Sequence, residues 1–175
     1  MVTNAHVVAG DSEPTVSDAR GSHRATPILF DPRLDVAVLE VPGFSERVLP
    51  VDTAEAPGGA TVTVLGYPGG GGLTAQPAGA DGNFSAVGFD IYNTNIVTRD
   101  VYQLNADIQP GNSGGPVVEM ADTAGNGTAK AVGLVFARSL TNPGIAYALT
   151  MAAVEADVRA AESSRSPVST GGCVN

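Results

Sequence analysis

Apolar and polar positions alternate with a period of two in short stretches, at Thr15 to Asp18, Ala25 to Phe30 and Leu34 to Val41. That period places successive side chains on opposite faces of a strand. In the last stretch Leu34, Val36, Val38 and Glu40 share one face and Asp35, Ala37, Leu39 and Val41 the other; with apolar residues on both, a strand buried on both faces is expected. Thr61 to Gly66, Ile96 to Ile108, Ala129 to Ala137 and Ile145 to Leu149 read as further strands. Met1 to Val8 reads as another, met without any lead-in, which predicts a truncation upstream. The spacing changes after Thr150, which is placed to cap a helix whose Met151, Val154, Val158 and Ala161 form one apolar stripe. Residues 73 to 95 show no clear period. The predicted organisation is a first set of strands over 1–45, a proline- and glycine-punctuated connection over 46–60, a second set over 61–150, a helix over 151–162 and a frayed tail over 163–175.

Composition narrows the class. Of the 175 residues, 43% are hydrophobic, so a core is available. Glycine (22) and proline (12) are abundant, as short strands joined by tight turns require. The formal net charge of −9, with only nine scattered cations, excludes a nucleic-acid footprint. No apolar run is long enough to span a bilayer, and no secretory signal opens the chain. Two distant histidines and one cysteine, Cys173, do not make a metal-ligand set. The run Gly69 to Gly72 lacks the Gly-Lys-Ser/Thr ending of a phosphate loop, so no cofactor is expected.

Three segments carry chemistry: Thr3-Asn4-Ala5-His6-Val7-Val8, Leu34-Asp35-Val36-Ala37-Val38-Leu39 and Pro110-Gly111-Asn112-Ser113-Gly114-Gly115-Pro116. A serine hydroxyl is a poor nucleophile until a base takes its proton. Imidazole suits that task, and a buried carboxylate holds the ring in the useful tautomer. Glycines around a serine let two backbone N–H groups converge on a developing oxyanion. Asp31 competes with Asp35 for the carboxylate role, but it precedes Pro32 and reads as a turn residue. His23, between Ser22 and Arg24, reads as a surface-loop residue.

In order, spacing and flanking residues the three segments resemble the signatures of the chymotrypsin-fold serine proteases in their bacterial, HtrA-like version. Gly66-Tyr67-Pro68-Gly69-Gly70, Asp90-Ile91-Tyr92 and Val97-Thr98-Arg99-Asp100-Val101-Tyr102 narrow the resemblance to the actinobacterial, membrane-anchored periplasmic acid-resistance (MarP-like) proteases. The resemblance implies an all-β fold of two six-stranded antiparallel Greek-key barrels, the first incomplete here, with a C-terminal helix. It implies a serine endopeptidase acting on peptide or protein substrates outside the cytoplasm, with His6 as general base, Asp35 as orienting carboxylate, Ser113 as nucleophile and the Gly111 and Ser113 amides as oxyanion hole. Phe136, Ala137, Arg138 and Gly144 would line the substrate cleft, and Asp107, six residues before Ser113, would sit on the floor of the P1 pocket and attract Arg or Lys. Asn112 replaces the aspartate that pairs with a freed α-amine in zymogen-type relatives, so no such switch is expected. A membrane anchor, and a cysteine to pair with Cys173, would lie in a segment upstream of this chain. The missing strands would leave activity weak or absent. The alternative reading is a non-catalytic binding scaffold on the same fold.

Overall fold

A computed structural model describes residues 1–120 and 128–174. Residues 121–127, inside the predicted second set of strands, lie outside the described residues. The chain divides into two compact units, Met1–Val48 with Val87–Val97 and Val154–Asn175, and Leu49–Ala86 with Thr98–Ala153.

The first unit holds β1 (Val2–Thr3), α1 (Ala5–Val8), β2 (Thr15–Asp18), β3 (Gly21–Arg24), β4 (Thr26–Asp31) and β5 (Val36–Glu40). β5 is the centre of an antiparallel sheet ordered β1-β5-β4, and β2 and β3 form a separate hairpin. The two-faced burial expected for β5 is present. Ala37 and Leu39 pack with Val8, Val16 and Ala25 on one side, while Val38 packs with Ile28 and Ala161 on the other. Each fully buried aliphatic side chain is worth roughly 1.5–3 kcal/mol.

Three expectations are corrected in this unit. Met1 to Val8 is not one strand: only Val2–Thr3 is, and the chain then turns into the single helical turn of α1. The switch falls at Asn4, fully buried, whose side-chain amide donates to the Asp35 carbonyl at 2.9 Å instead of leaving the backbone to run on in a ladder. His23 is not in a loop. It lies in β3, with Nε2 3.3 Å from an Asp18 carboxylate oxygen and its ring edge-on to Phe44. The tail is not frayed. Val168 N–H donates to the Pro27 carbonyl at 2.9 Å, and Thr170, 4% exposed, donates its hydroxyl to the Asp11 carbonyl at 3.0 Å. These anchors are polar contacts with distant backbone, which no hydrophobic period records.

The second unit is built on a closed antiparallel barrel of β6 (Ala60–Gly66), β7 (Thr74–Phe89), β8 (Ile96–Asn105), β9 (Pro116–Met120), β10 (Ala129–Arg138) and β11 (Ile145–Thr150), ordered β10-β11-β8-β7-β6-β9. Its core includes Val62, Val64, Tyr102, Leu104, Val117, Val132 and Val135. The 16-residue β7 fills most of the stretch that lacked a period. Its residues are mostly exposed or half-buried and include glycine and proline, so no apolar face signals it. The helix predicted after Thr150 is α2 (Met151–Ser164), capped as expected by Thr150 Oγ1, which accepts from Ala153 N–H at 3.2 Å.

Candidate active site

In the first unit α1 presents His6 and the turn between β4 and β5 presents Asp35. That turn is set by Asp31, whose Oδ1 accepts the N–H groups of Arg33 and Leu34 at 2.7 and 3.0 Å and whose carbonyl accepts Asp35 N–H at 2.9 Å. Asp31 is thus the turn residue its sequence context indicated. Asp35 lies one residue before β5 with φ 68, a left-handed conformation that few non-glycine residues adopt. There it is 4% exposed and spends both carboxylate oxygens on one histidine. Oδ1 accepts the His6 backbone N–H at 2.9 Å, and Oδ2 lies 2.7 Å from His6 Nδ1. A carboxylate bound to Nδ1–H leaves Nε2 as the proton acceptor of the ring.

In the second unit Ser113 follows a tight turn that glycine makes possible. Gly111 has φ 99, and a Cβ there would run into the Tyr67 carbonyl; a Cβ on Gly115 would run into the Leu65 carbonyl. The loop is therefore pressed onto the end of β6. The Tyr67 and Gly69 N–H groups donate to the carbonyls of Gly111 and Pro110 at 3.3 and 2.7 Å. Gly69, part of the glycine run, so buttresses the serine turn. Asn112 is buried, its N–H given to the Gln109 carbonyl at 3.1 Å and its carbonyl accepting Gly115 N–H at 2.9 Å. Gly114 N–H goes to the Val135 carbonyl at 2.9 Å. Among the described residues, the N–H groups of Gly111 and Ser113 have no acceptor, although both neighbouring amides do.

Beside Ser113 lies a pocket of about 210 Å³ lined by Ile108, Gln109, Pro110, Ser113, Val135, Phe136, Ala137 and Arg138. β10 supplies half of that wall. Its pairing with β11 shifts register between Val135 and Ala137, so Phe136 sits on a bulge, a device that re-aims a side chain. The Arg99 guanidinium lies 5.7 Å from the centre of the Phe136 ring. Arg99, on β8, thus packs behind a lining residue rather than lining the pocket itself, a contact between distant strands that leaves no local pattern in the sequence. Phe136, Ala137 and Arg138 line this pocket; Asp107 and Gly144 are not among its lining residues. The Asp107 carboxylate instead accepts the Gln109 side-chain amide at 2.9 Å. Gly144 N–H is held by Asn142 Oδ1 at 3.2 Å in the turn before β11.

Among the described residues no group of three or more His, Cys, Asp or Glu side chains could hold a metal ion, and no helix is long and apolar enough to cross a membrane. Cys173 is an exposed free thiol.

Comparison with known proteins agrees with this chemistry. The family description of the trypsin-like peptidase domain matches residues 1–125. The chain is 39% identical over 176 positions to serine protease Rv3671c of Mycobacterium tuberculosis, covering all of this chain and 42% of that protein. It is 36% identical over 123 residues to the probable periplasmic serine endoprotease DegP-like of Pseudomonas fluorescens, covering 69% of this chain and 25% of that protein. The chain thus spans less than half the length of these curated relatives. The active form of the Rv3671c protease superposes with a TM-score of 0.90 at 39% identity, over 99% of this chain and 74% of that one. The HtrA-type protease AlgW with a decapeptide superposes at 0.71 and 28% identity, over 92% and 48%. A fold centred on a closed six-stranded β-barrel, a glycine-bound serine and a carboxylate-held histidine go together with these matches: the chain belongs to the trypsin-like peptidase family, in its HtrA-like branch.

Proposed function

We propose that the chain is the catalytic part of a serine endopeptidase in which His6 is the general base, Asp35 orients it, Ser113 is the nucleophile and the Gly111 and Ser113 amides receive the oxyanion. The observation that carries this reading is the pair of unengaged N–H groups flanking a bonded one on the serine turn, together with an imidazole whose Nδ1 is already committed to a buried carboxylate. His6 Nε2 takes the Ser113 hydroxyl proton as Oγ adds to the scissile carbonyl. The carbonyl oxygen becomes an oxyanion and is met by the two amides. Collapse breaks the C–N bond, with the proton passing from His6 to the departing amine. Water, activated by the same imidazole, then hydrolyses the Ser113 ester and releases a carboxylate.

Substrate binding follows from β10. Its pairing with β9 ends at Leu134, so no strand among the described residues pairs with that edge over Phe136 to Arg138. An extended peptide can add there as a strand, with one side chain entering the pocket beside Ser113. Envelope location is supported by the periplasmic naming of the similar Pseudomonas protein. A membrane anchor, and a disulfide from Cys173, belong to this reading only through further chain.

A serine-directed fluorophosphonate tests the assignment. Wild-type protein should be labelled and Ser113→Ala should not. Equal labelling of both would remove Ser113 from its role, and labelling of neither would favour a binding scaffold.

A further inference from the structure

A closed circuit of contacts runs through the first unit and includes the His6–Asp35 pair. Beginning at α1, the chain turns at Gly10 and Asp11. Gly10 N–H donates to the Thr170 carbonyl at 3.2 Å, and Thr170 Oγ1 donates to the Asp11 carbonyl at 3.0 Å. The hydroxyl of Tyr92 donates to the carbonyls of Thr170 and Gly172 at 3.4 and 3.2 Å. Next to Tyr92, Ile91 N–H donates to the Pro32 carbonyl at 3.2 Å, inside the turn that presents Asp35. Asp35 closes the circuit on His6 at 2.7 Å.

The parts of the circuit are built for close approach. Asp90 is buried and accepts the N–H groups of Tyr92, Thr94 and Asn95 at 3.1, 2.9 and 3.1 Å, with the Thr94 hydroxyl and Asn95 amide at 2.9 and 2.7 Å. Residues 90–95 are therefore a pinned loop. Gly171, at φ 67, passes so close to Tyr92 that a Cβ would strike the hydroxyl. Gly10, at φ 78, faces Cys173, whose N is 2.8 Å from where a Cβ would stand.

Neither element that carries the pair is stable alone. One helical turn has no intrinsic stability. A non-glycine residue at positive φ persists only where its surroundings over-determine it. We propose that Thr170 and Tyr92 are positioning residues: the C-terminal strap and the 90–95 loop lock the segment bearing His6 to the turn bearing Asp35. This rests on the reading of His6 and Asp35 as base and orienting carboxylate.

The test is Thr170→Val, which keeps shape and removes the hydroxyl, beside Thr170→Ser and Tyr92→Phe. Two readouts are followed. One is kcat and KM for peptide cleavage. The other is the downfield proton resonance of His6 Nδ1–H, which can be recorded in a Ser113→Ala background and needs no turnover. Thr170→Val should lower kcat on the order of tenfold or more with KM within about twofold, since small misplacement of a catalytic group is costly. The resonance should weaken or vanish, and Thr170→Ser should restore both. An unchanged kcat and an unchanged resonance in folded Thr170→Val would overturn the proposal. Should that variant not fold, Tyr92→Phe decides by the same resonance. Failure of the protease reading shows separately, as absence of fluorophosphonate labelling in the wild type.

Discussion

Asp35 carries three demands at one position: a left-handed backbone, burial, and two hydrogen bonds to one histidine. Asparagine tolerates that backbone and keeps an oxygen for the His6 backbone N–H, but its amide nitrogen cannot accept from Nδ1–H. Asp35→Asn should therefore lower kcat by about 10⁴-fold through the wrong tautomer, with little change in KM. Steady-state kinetics on a peptide substrate reads this, and a loss below about tenfold would remove Asp35 from its role. At this scale the sequence singled out His6, Asp35 and Ser113, because each sits in a short segment with a recognisable pattern, and the structure joins the first two. Thr170 lies in no such segment, and the segments that hold Asn4 and Tyr92 did not reveal the contacts those two residues make. Asn4 meets Asp35 across 31 positions and Tyr92 meets Thr170 across 78, and contacts of that reach have no local pattern.

The strands with two-residue alternation or an apolar run were legible, and so was α2 with its Thr150 cap. β7 and β9 were not, since the first is largely exposed and the second follows directly on the serine turn. The β10 wall has the clearest consequence for specificity. Ile108, Pro110, Val135, Phe136 and Ala137 make the pocket beside Ser113 apolar, and its charged lining residue is a cation, Arg138. The carboxylate six residues before Ser113 is engaged with Gln109 and does not line it. A basic P1 side chain would enter without a counter-charge, and an unpaired charge in an apolar site is costly. Peptides with Val or Leu at P1 should be cleaved at least about tenfold better in kcat/KM than the same peptides with Arg. Asp107→Ala should leave that ranking intact. A preference for Arg that disappears in Asp107→Ala would instead restore the aspartate to the pocket floor.

For the molecule as a whole, acid and base limits of stability come from different carboxylates. The N–H of Thr94 leads the set of donors that, against burial, hold Asp90 at about 2. Asp52 is lowered chiefly by its hydrogen bond from Lys130. Groups held low stabilise the fold above the ordinary carboxylate value of about 4, and that contribution is lost as pH falls toward 2. Asp157 on α2 behaves oppositely. Burial, with the charge of Asp31 adding to it, pushes its carboxyl up to about 6, and its Oδ2 is buried with no hydrogen-bond partner among the described residues. Between about pH 4 and 6 the folded state then binds more protons than the unfolded one, so stability declines as pH rises through that window. Allowing for solvent screening at this half-buried group, the decline is about 1 kcal/mol, or about 2–4 °C in Tm for a chain of this size. Thermal stability should accordingly peak near pH 4–5, whereas the mechanism proposed above asks for a neutral imidazole as base. Melting curves from pH 2 to 8 check the first part. Asp157→Asn should raise Tm at pH 7, leave it nearly unchanged at pH 4 and flatten the decline between them. Glu162→Gln, which removes a charge from an exposed position of the same helix, should not. If both substitutions flatten the curve equally, general self-repulsion in this chain of net charge −9, rather than the buried carboxyl, sets the limit.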